Sequence, residues 1–461
     1  MPAARTPTPR PSMLRGGGLR RLALAAVLTL SGTQAAQAQS LQELYEAARV
    51  YDATYLASKA LLDSAQYRAD QAKAARLPNV QLDVTGGRQS GESAQTRGDT
   101  ATNSVNASVT LKQSLYNPAN DAAIAQADRS VDASRADFEL AEQDLIVRVA
   151  QAYFDVLAAQ DALETARTSQ KAIAEQLASA KRNFEVGTAT ITDTREAQAR
   201  ADLARAQEIA AQNDLLAKRI ALDQLVGRNG VAPKGLATPV ALPPVAPASV
   251  DDWVMRADTD QPNVRKARIG LDVAKLETER ARAGDKPTVG FSGSVGKGYG
   301  STHSNSWDLP RGSSGTGNTT NTSLGVALNW PLFAGYSIQN RIKETLALEE
   351  KARNDLEAAR RTFAQATRTA FYGLNSQLEQ VKALEAAESS SQLALEATQL
   401  GYKVGVRVNL DVLNAQTQLF TTRRDLAKAR YDVLVNGLKL RQATGQLKAD
   451  DVSTLNRLLA R

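Results

Sequence analysis

Two stretches of the chain bring charged and hydroxyl groups to a glycine turn at matched spacing. FEVGTATITDTREAQ starts at Phe184 and YKVGVRVNLDVLNAQ starts at Tyr402, 218 positions later. Each has Val-Gly (Val186-Gly187, Val404-Gly405), an Asp six residues on (Asp193, Asp411) and then Ala-Gln. A Gly just past a helix suits the left-handed turn that stops it. An Asp at the next helix start reads as an N-cap, and Glu196 three residues after Asp193 has capping-box spacing. The copies differ in what else they carry: Tyr402 and Arg407 stand where the first has Phe184 and Ala189. Guanidinium, phenol and carboxylate can form charge-assisted hydrogen bonds. No nucleophile–base pair occurs in sequence context, so the chain is not read as an enzyme. With no Cys and one His (His303), it offers no metal set and calls for no cofactor.

The duplication extends well beyond the turns. AYFDVL at Ala152 stands 218 residues before AFYGLN at Ala370, and Gly227 stands 218 before Gly445. LPNVQLDVTGG at Leu77 matches KPTVGFSGSVG at Lys286 with offset 209, and VTLKQSLYNP at Val109 matches VALNWPLFAG at Val326 with offset 217. A period this long means two copies of a fold, not a solenoid.

Each copy reads helix, strand, loop, strand, very long helix, tip, helix. Repeat 1 covers 39–228, with strands near 79–86 and 104–116, a long helix over 119–186, a tip at 187–192 and a helix over 193–227. A Pro-rich linker at 229–248 leads to repeat 2 at 249–447. Its strands lie near 287–296 and 322–333, its long helix over 336–404, its tip at 405–410 and its return helix over 411–444, before a tail at 448–461. The Gly/Ser/Thr/Asn stretches Gly86–Asn103 and Gly296–Thr322 read as loops. In the long helix Leu145, Val149, Ala152, Val156, Ala159, Leu163 and Ala166, then Ile173, Leu177, Ala180 and Phe184, step by three and four, the seam of a coiled coil. The strands alternate apolar and polar residues, with one dry and one wet face, and about ten residues suffice to cross a bilayer when tilted.

The formal charge of +7 is concentrated at the start: Arg5, Arg10, Arg15, Arg20 and Arg21 precede Gln39 with no acid among them. Without them 51 basic residues face 49 acidic ones, or +2, which argues against nucleic acid as a partner. Residues 1–38 read as a secretory signal peptide: a basic start, an apolar core from Leu22 to Leu30 and a small-x-small site at Ala36-Gln37-Ala38. Either Met1 or Met13 can be the true start.

Four strands cannot close a barrel, and open sheet edges in hydrocarbon would leave backbone groups unpaired. Strands must therefore be pooled among two, three or four copies; a soluble β-sandwich is the alternative for the strands alone. The duplicated layout, the LPxVxLxxxG strand start and the VGxxxxxDVLxAQ tip resemble the TolC family of outer-membrane channel proteins. The resemblance implies an α+β membrane protein of the cell outer membrane with a large periplasmic portion. It implies a homotrimer whose four transmembrane strands per chain form a 12-stranded β-barrel, continuous with a periplasmic α-barrel of coiled-coil helices. It implies a gate of Asp193, Thr192, Tyr402 and Arg407, with Asp411 as an acidic ring, though Asn414 stands where the family often has a second Asp. Capping and ring roles for Asp193 and Asp411 can coexist. The implied partners are outer-membrane lipid, a periplasmic adaptor docking near Val186, Gly187, Val404 and Gly405, and an inner-membrane ABC or proton-driven transporter. The function expected is an exit duct for type I secretion or efflux. A periplasmic coiled-coil adaptor or scaffold is the alternative; it would explain the helices but not the strands.

Overall fold

The computed structural model describes residues 39–93, 98–237, 239–240, 242–306 and 313–460; the signal peptide read at 1–38 lies outside them. The chain opens with α1 (Leu41–Tyr51) and α2 (Ala53–Lys73). Ser40 starts α1 through a capping box with Glu43. Asp52 ends α1 and starts α2, its carboxylate accepting from the Tyr55 amide at 2.7 Å. One turn of 3-10 helix leads into β1 (Asn79–Ser93) and β2 (Gly98–Tyr116). Pro118, at the first position where a missing N–H is harmless, opens α3 (Pro118–Glu185), 68 residues or about 100 Å long. After the first tip comes α4 (Ile191–Val226). The second half runs α5 (Val250–Asp260), α6 (Pro262–Arg282), β3 (Thr288–Ser306), β4 (Ser313–Asn329), α7 (Ser337–Lys403), a second tip, α8 (Asn409–Ala443) and α9 (Ala449–Asn456).

Several sequence boundaries are corrected. The glycine-rich stretches are not loops: β1 runs to Ser93, β2 begins at Gly98, β3 continues to Ser306 and β4 starts at Ser313. A ladder is held by backbone hydrogen bonds, which Gly, Ser and Thr supply as well as Val does; only the hydrophobic alternation stops there. His303, expected in an external loop, lies in β3 opposite Ala101 and Ser314. The last strand stops at Asn329 rather than 333, and the tail contains α9. The return helices begin at Ile191 and Asn409, two residues before the carboxylates expected to start them.

The four strands form one antiparallel sheet in chain order, so the β2–β3 pairing joins the two repeats while β1 and β4 are its edges. Register puts Val80, Leu111, Gly293 and Leu324 at one level of one face. From that level the apolar strip runs toward the hairpin end in β1 (Leu82, Val84) but toward the helices in β4 (Val326, Leu328). A strip that slants across the sheet is what a level hydrocarbon slab requires of tilted strands. Val80, Leu82, Val84, Leu324, Val326 and Leu328 are exposed in the single chain, and Leu111 is half-buried.

In the helical part α3 is packed by α2 and α4 of its own repeat and by α6 and α8 of the other. Tyr153 and Phe154 are fully buried there, with Phe154 stacked on Tyr431 at 5.8 Å. The corresponding helix α7 is packed along its length by α5, α6 and α8 of its own repeat. Among the described residues no helix is long and apolar enough to cross a membrane.

Candidate functional site: the paired tips

Both tips are the same piece of backbone. Gly187 and Gly405 adopt φ of +79°, and each turn closes with a pair of backbone bonds. The Gly187 amide donates to the Phe184 carbonyl (3.0 Å) and that of Thr188 to Asn183 (2.8 Å). In the second tip Gly405 donates to Tyr402 (3.1 Å) and Val406 to Gly401 (2.9 Å). This is the Schellman arrangement that satisfies the last carbonyls of a helix, and its left-handed residue explains the duplicated Gly. The capping valines Val186 and Val404 point outward, 73% and 65% exposed.

The side chains then depart from the expected latch. Asp193 is not the N-cap: Thr190 is, its hydroxyl accepting from the Asp193 amide at 3.2 Å. The Asp193 carboxylate reaches back to the Thr190 amide (2.9 Å) and hydroxyl (2.7 Å), completing a capping box. Glu196, offered as the box partner from its spacing, is one turn too far. In the second copy Val408 starts the helix without a side-chain cap, and Asp411 instead pairs with Arg407 at 3.6 Å, Arg407 largely exposed and Asp411 half-buried. Within one chain Arg407 therefore meets Asp411 rather than Asp193. Its stem lies over Gly401, where a β-carbon would come within 2.8 Å of Arg407 Cγ. Thr192 is exposed beside Asp193.

Tyr402 crosses to the other repeat, where Asn183 Nδ2 donates to its hydroxyl at 3.1 Å. Two further polar links join the hairpins below the apolar core: Gln176 Nε2 donates to Asn409 Oδ1, and Arg200 Nη2 to Asn414 Oδ1 at 3.0 Å. Asn409 and Gln416 are 3% and 5% exposed, and Asn409 Nδ2 and Gln416 Oε1 have no partner among the described residues. The residue types along this seam change with height. Tyr431, Leu434, Val435 and Leu438 of α8 join the large apolar core around Tyr153 and Phe154. Toward the tip the polar Thr422, Gln416 and Asn409 are buried alongside Leu419, Leu413 and Val412, near the small Ala180, Ala197 and Ala204. Buried polar groups left partly unpaired weaken a seam by about 1–3 kcal/mol each. Asn183, Gln176, Asn409 and Arg200 were not singled out from the sequence. The visible signal was Asn409 and Gln416, seven residues apart on a seam that is otherwise apolar or small.

Further from the tip, Asp161 accepts from the Tyr431 hydroxyl at 2.7 Å, and burial raises its carboxyl above the ordinary range. Arg148 forks onto Asp52 at 2.9 and 3.1 Å; that hydrogen bonding holds the Asp52 carboxyl below its usual value of 3.8. No group of three or more His, Cys, Asp or Glu able to hold a metal occurs among the described residues.

A duplicated chain whose amphipathic sheet leads into helices of about 100 Å defines an outer-membrane channel subunit. The sequence model of the outer membrane efflux protein family matches residues 44–228 and 253–446. The chain is 32% identical to the outer membrane protein TolC of Vibrio cholerae, over 94% of this chain and 96% of that protein. It is 33% identical to the alkaline protease secretion protein AprF of Pseudomonas aeruginosa, over 84% and 80% respectively. The crystal structure of the outer membrane protein VceC from Vibrio cholerae superposes with a TM-score of 0.71 at 19% identity, covering 88% of this chain and 96% of that one. The Campylobacter jejuni CmeC outer membrane channel gives 0.73 at 15%, covering 100% and 98%. The chain belongs to the outer membrane efflux protein family, and it is an outer-membrane protein with a periplasmic portion. This family does not favour the adaptor or scaffold reading.

Proposed function

We propose that the chain is one third of a gated exit duct that passes cargo from an inner-membrane transporter and a periplasmic adaptor to the cell exterior, in type I secretion or efflux. Three copies join edge to edge, β4 to the next β1, to close twelve strands, while their helices close a tube beneath. One observation carries this reading. α3 is embraced by helices of both repeats, whereas α7, its counterpart, packs along its length on helices of its own repeat and reaches the other repeat through Tyr402 at its tip end. The exposed apolar residues of α7 (Leu346, Leu393, Leu400) and of α4 (Leu203, Leu216, Ile220) are the surfaces that a neighbouring copy would cover. The same logic closes the sheet, whose β1 and β4 edges would otherwise stand unpaired in lipid. The mass of the detergent-solubilised protein tests it: three chains are expected, and a stable monomer or dimer refutes it.

At the tip, Tyr402, Arg407, Asp193 and Thr192 act as the gate, with Asp411 facing the axis. The Arg407–Asp411 pair is partly exposed and long, so it is worth little within one chain and is free to exchange for Asp193 of a neighbour. Val186, Gly187, Val404 and Gly405 form the adaptor contact, since two exposed valines per chain give six apolar knobs on the rim of a trimer.

A further inference from the structure

Arg88 and Lys297 are separated by 209 residues, the offset that superposes β1 on β3, so they are one position of the duplicated fold. Both are on the sheet face that carries the apolar strip: Arg88 follows Val80, Leu82 and Val84 at steps of two, and Lys297 follows Val289 and Val295. Among the described residues, the charged side chains of that face along the ladder are Arg88, Lys297, Glu92 and Asp99. The two acids face each other four residues beyond Arg88, about 13 Å farther out. Neither cation makes an ion pair among the described residues, and both are exposed.

Their height is set by the strands. From Asn79 to Arg88 is nine steps, as from Thr288 to Lys297, or about 30 Å along the strand and about 21 Å upright at a tilt near 45°. An outer-membrane barrel has an apolar band of about 25 Å. Both cations thus come at the end of the band far from the helices, where the outer-leaflet headgroups begin. Tyr299, two residues past Lys297 on the same face and opposite Val105, sits where an interfacial aromatic belongs. Asn103 and Ser301, level with Arg88, add hydrogen-bonding groups.

We propose that Arg88 and Lys297 form a binding site for the phosphate groups of an outer-leaflet glycolipid, repeated six times around the trimer. The site rests on the barrel reading above, which turns the sheet face with the strip toward lipid. A lysine stem lies along apolar surface while its ammonium reaches the headgroup layer, and a guanidinium takes two phosphate oxygens at once. The phosphate is held from outside the barrel, so the site anchors the duct at a fixed depth and plays no part in cargo passage.

Purified trimer is titrated with bis-phosphorylated lipid A and, separately, with the same lipid after removal of both phosphates, with bound lipid counted by native mass spectrometry. Wild type is expected to prefer the phosphorylated lipid. Each of the six sites holds one cation, worth about fivefold near an anionic surface, so Arg88→Gln with Lys297→Gln should weaken binding at every site by about fivefold, and the charge-keeping pair Arg88→Lys with Lys297→Arg should retain it. Inorganic phosphate should not compete, since it lacks the acyl chains. Equal binding of the two lipids by wild type, full retention by the double Gln variant in an intact trimer, or displacement by inorganic phosphate overturns the site alone. Failure of the wild-type chain to form a trimer overturns the barrel reading and this site with it.

Discussion

The Tyr402 hydroxyl is the one gate group that already bridges the two repeats, so Tyr402→Phe is the sharpest test of the tip. The substitution keeps the ring and deletes a single 3.1 Å bond from Asn183. A partly buried neutral hydrogen bond contributes about 1 kcal/mol, and a three-fold closed state loses three of them, about 3 kcal/mol in all. If the tips open together, the ratio of open to closed channels rises about a hundredfold. Planar-bilayer recording reads this directly as open probability at constant single-channel conductance. Asn183→Ala should give the same rise, and the double variant little more, because both substitutions remove one interaction. Unchanged gating in Tyr402→Phe, or full additivity of the two, would show that the bond does not hold the closed tip. Arg407→Ala separates the intrachain pair from a lock between chains: loss of a partly exposed 3.6 Å pair should leave gating nearly unchanged, whereas loss of a neighbour's Asp193 should open the channel.

Three further outcomes follow from the same geometry. Gln126 of α3 donates to Glu277 of α6 at 2.9 Å, and the repeat offsets carry that contact onto Glu344 and Arg68. Glu344→Arg or Arg68→Glu should therefore weaken trimers in detergent, and the exchanged pair should recover them, as read by gel mobility. Gly445→Ala places a β-carbon 2.4 Å from the Asp260 carbonyl at φ +73°, so it should cost well over the roughly 1 kcal/mol expected at Gly187, where φ is +79° but nothing lies within 4 Å; thermal melting compares them. Asp52→Asn keeps a capping oxygen but loses the charge opposite Arg148, which is 34% exposed, for about 1–2 kcal/mol. Because the folded carboxyl lies below its ordinary 3.8, that stability is full above 3.8 and disappears as pH falls below it. Wild type and variant should thus differ in melting temperature at neutral pH and converge in acid.

The repeat, the helix lengths and the tip turns were legible because each rests on local chemistry. A long run free of Pro and Gly gives α3 its length, and a Gly just past a long helix fixes a left-handed stop, as at Gly187, Gly227, Gly405 and Gly445. The strands were legible only as far as their hydrophobic alternation lasted. Past Gly86 and Gly296 the ladder continues on backbone bonds that leave no pattern in the side chains. The tip network was half legible. Asp193 and Asp411 could be located by spacing, but which groups their carboxylates meet depends on where Thr190 and Arg407 turn. That Asn183 faces Tyr402 and Gln176 faces Asn409, more than 200 residues away in each case, is a matter of how one hairpin lies on the other. Sequence alone determined the repeating unit, its turns and its long helices, since those obey interactions within a few residues. The tertiary structure decided which copies of each position meet and which faces stay uncovered, because packing between distant segments is set by register and height rather than by residue type.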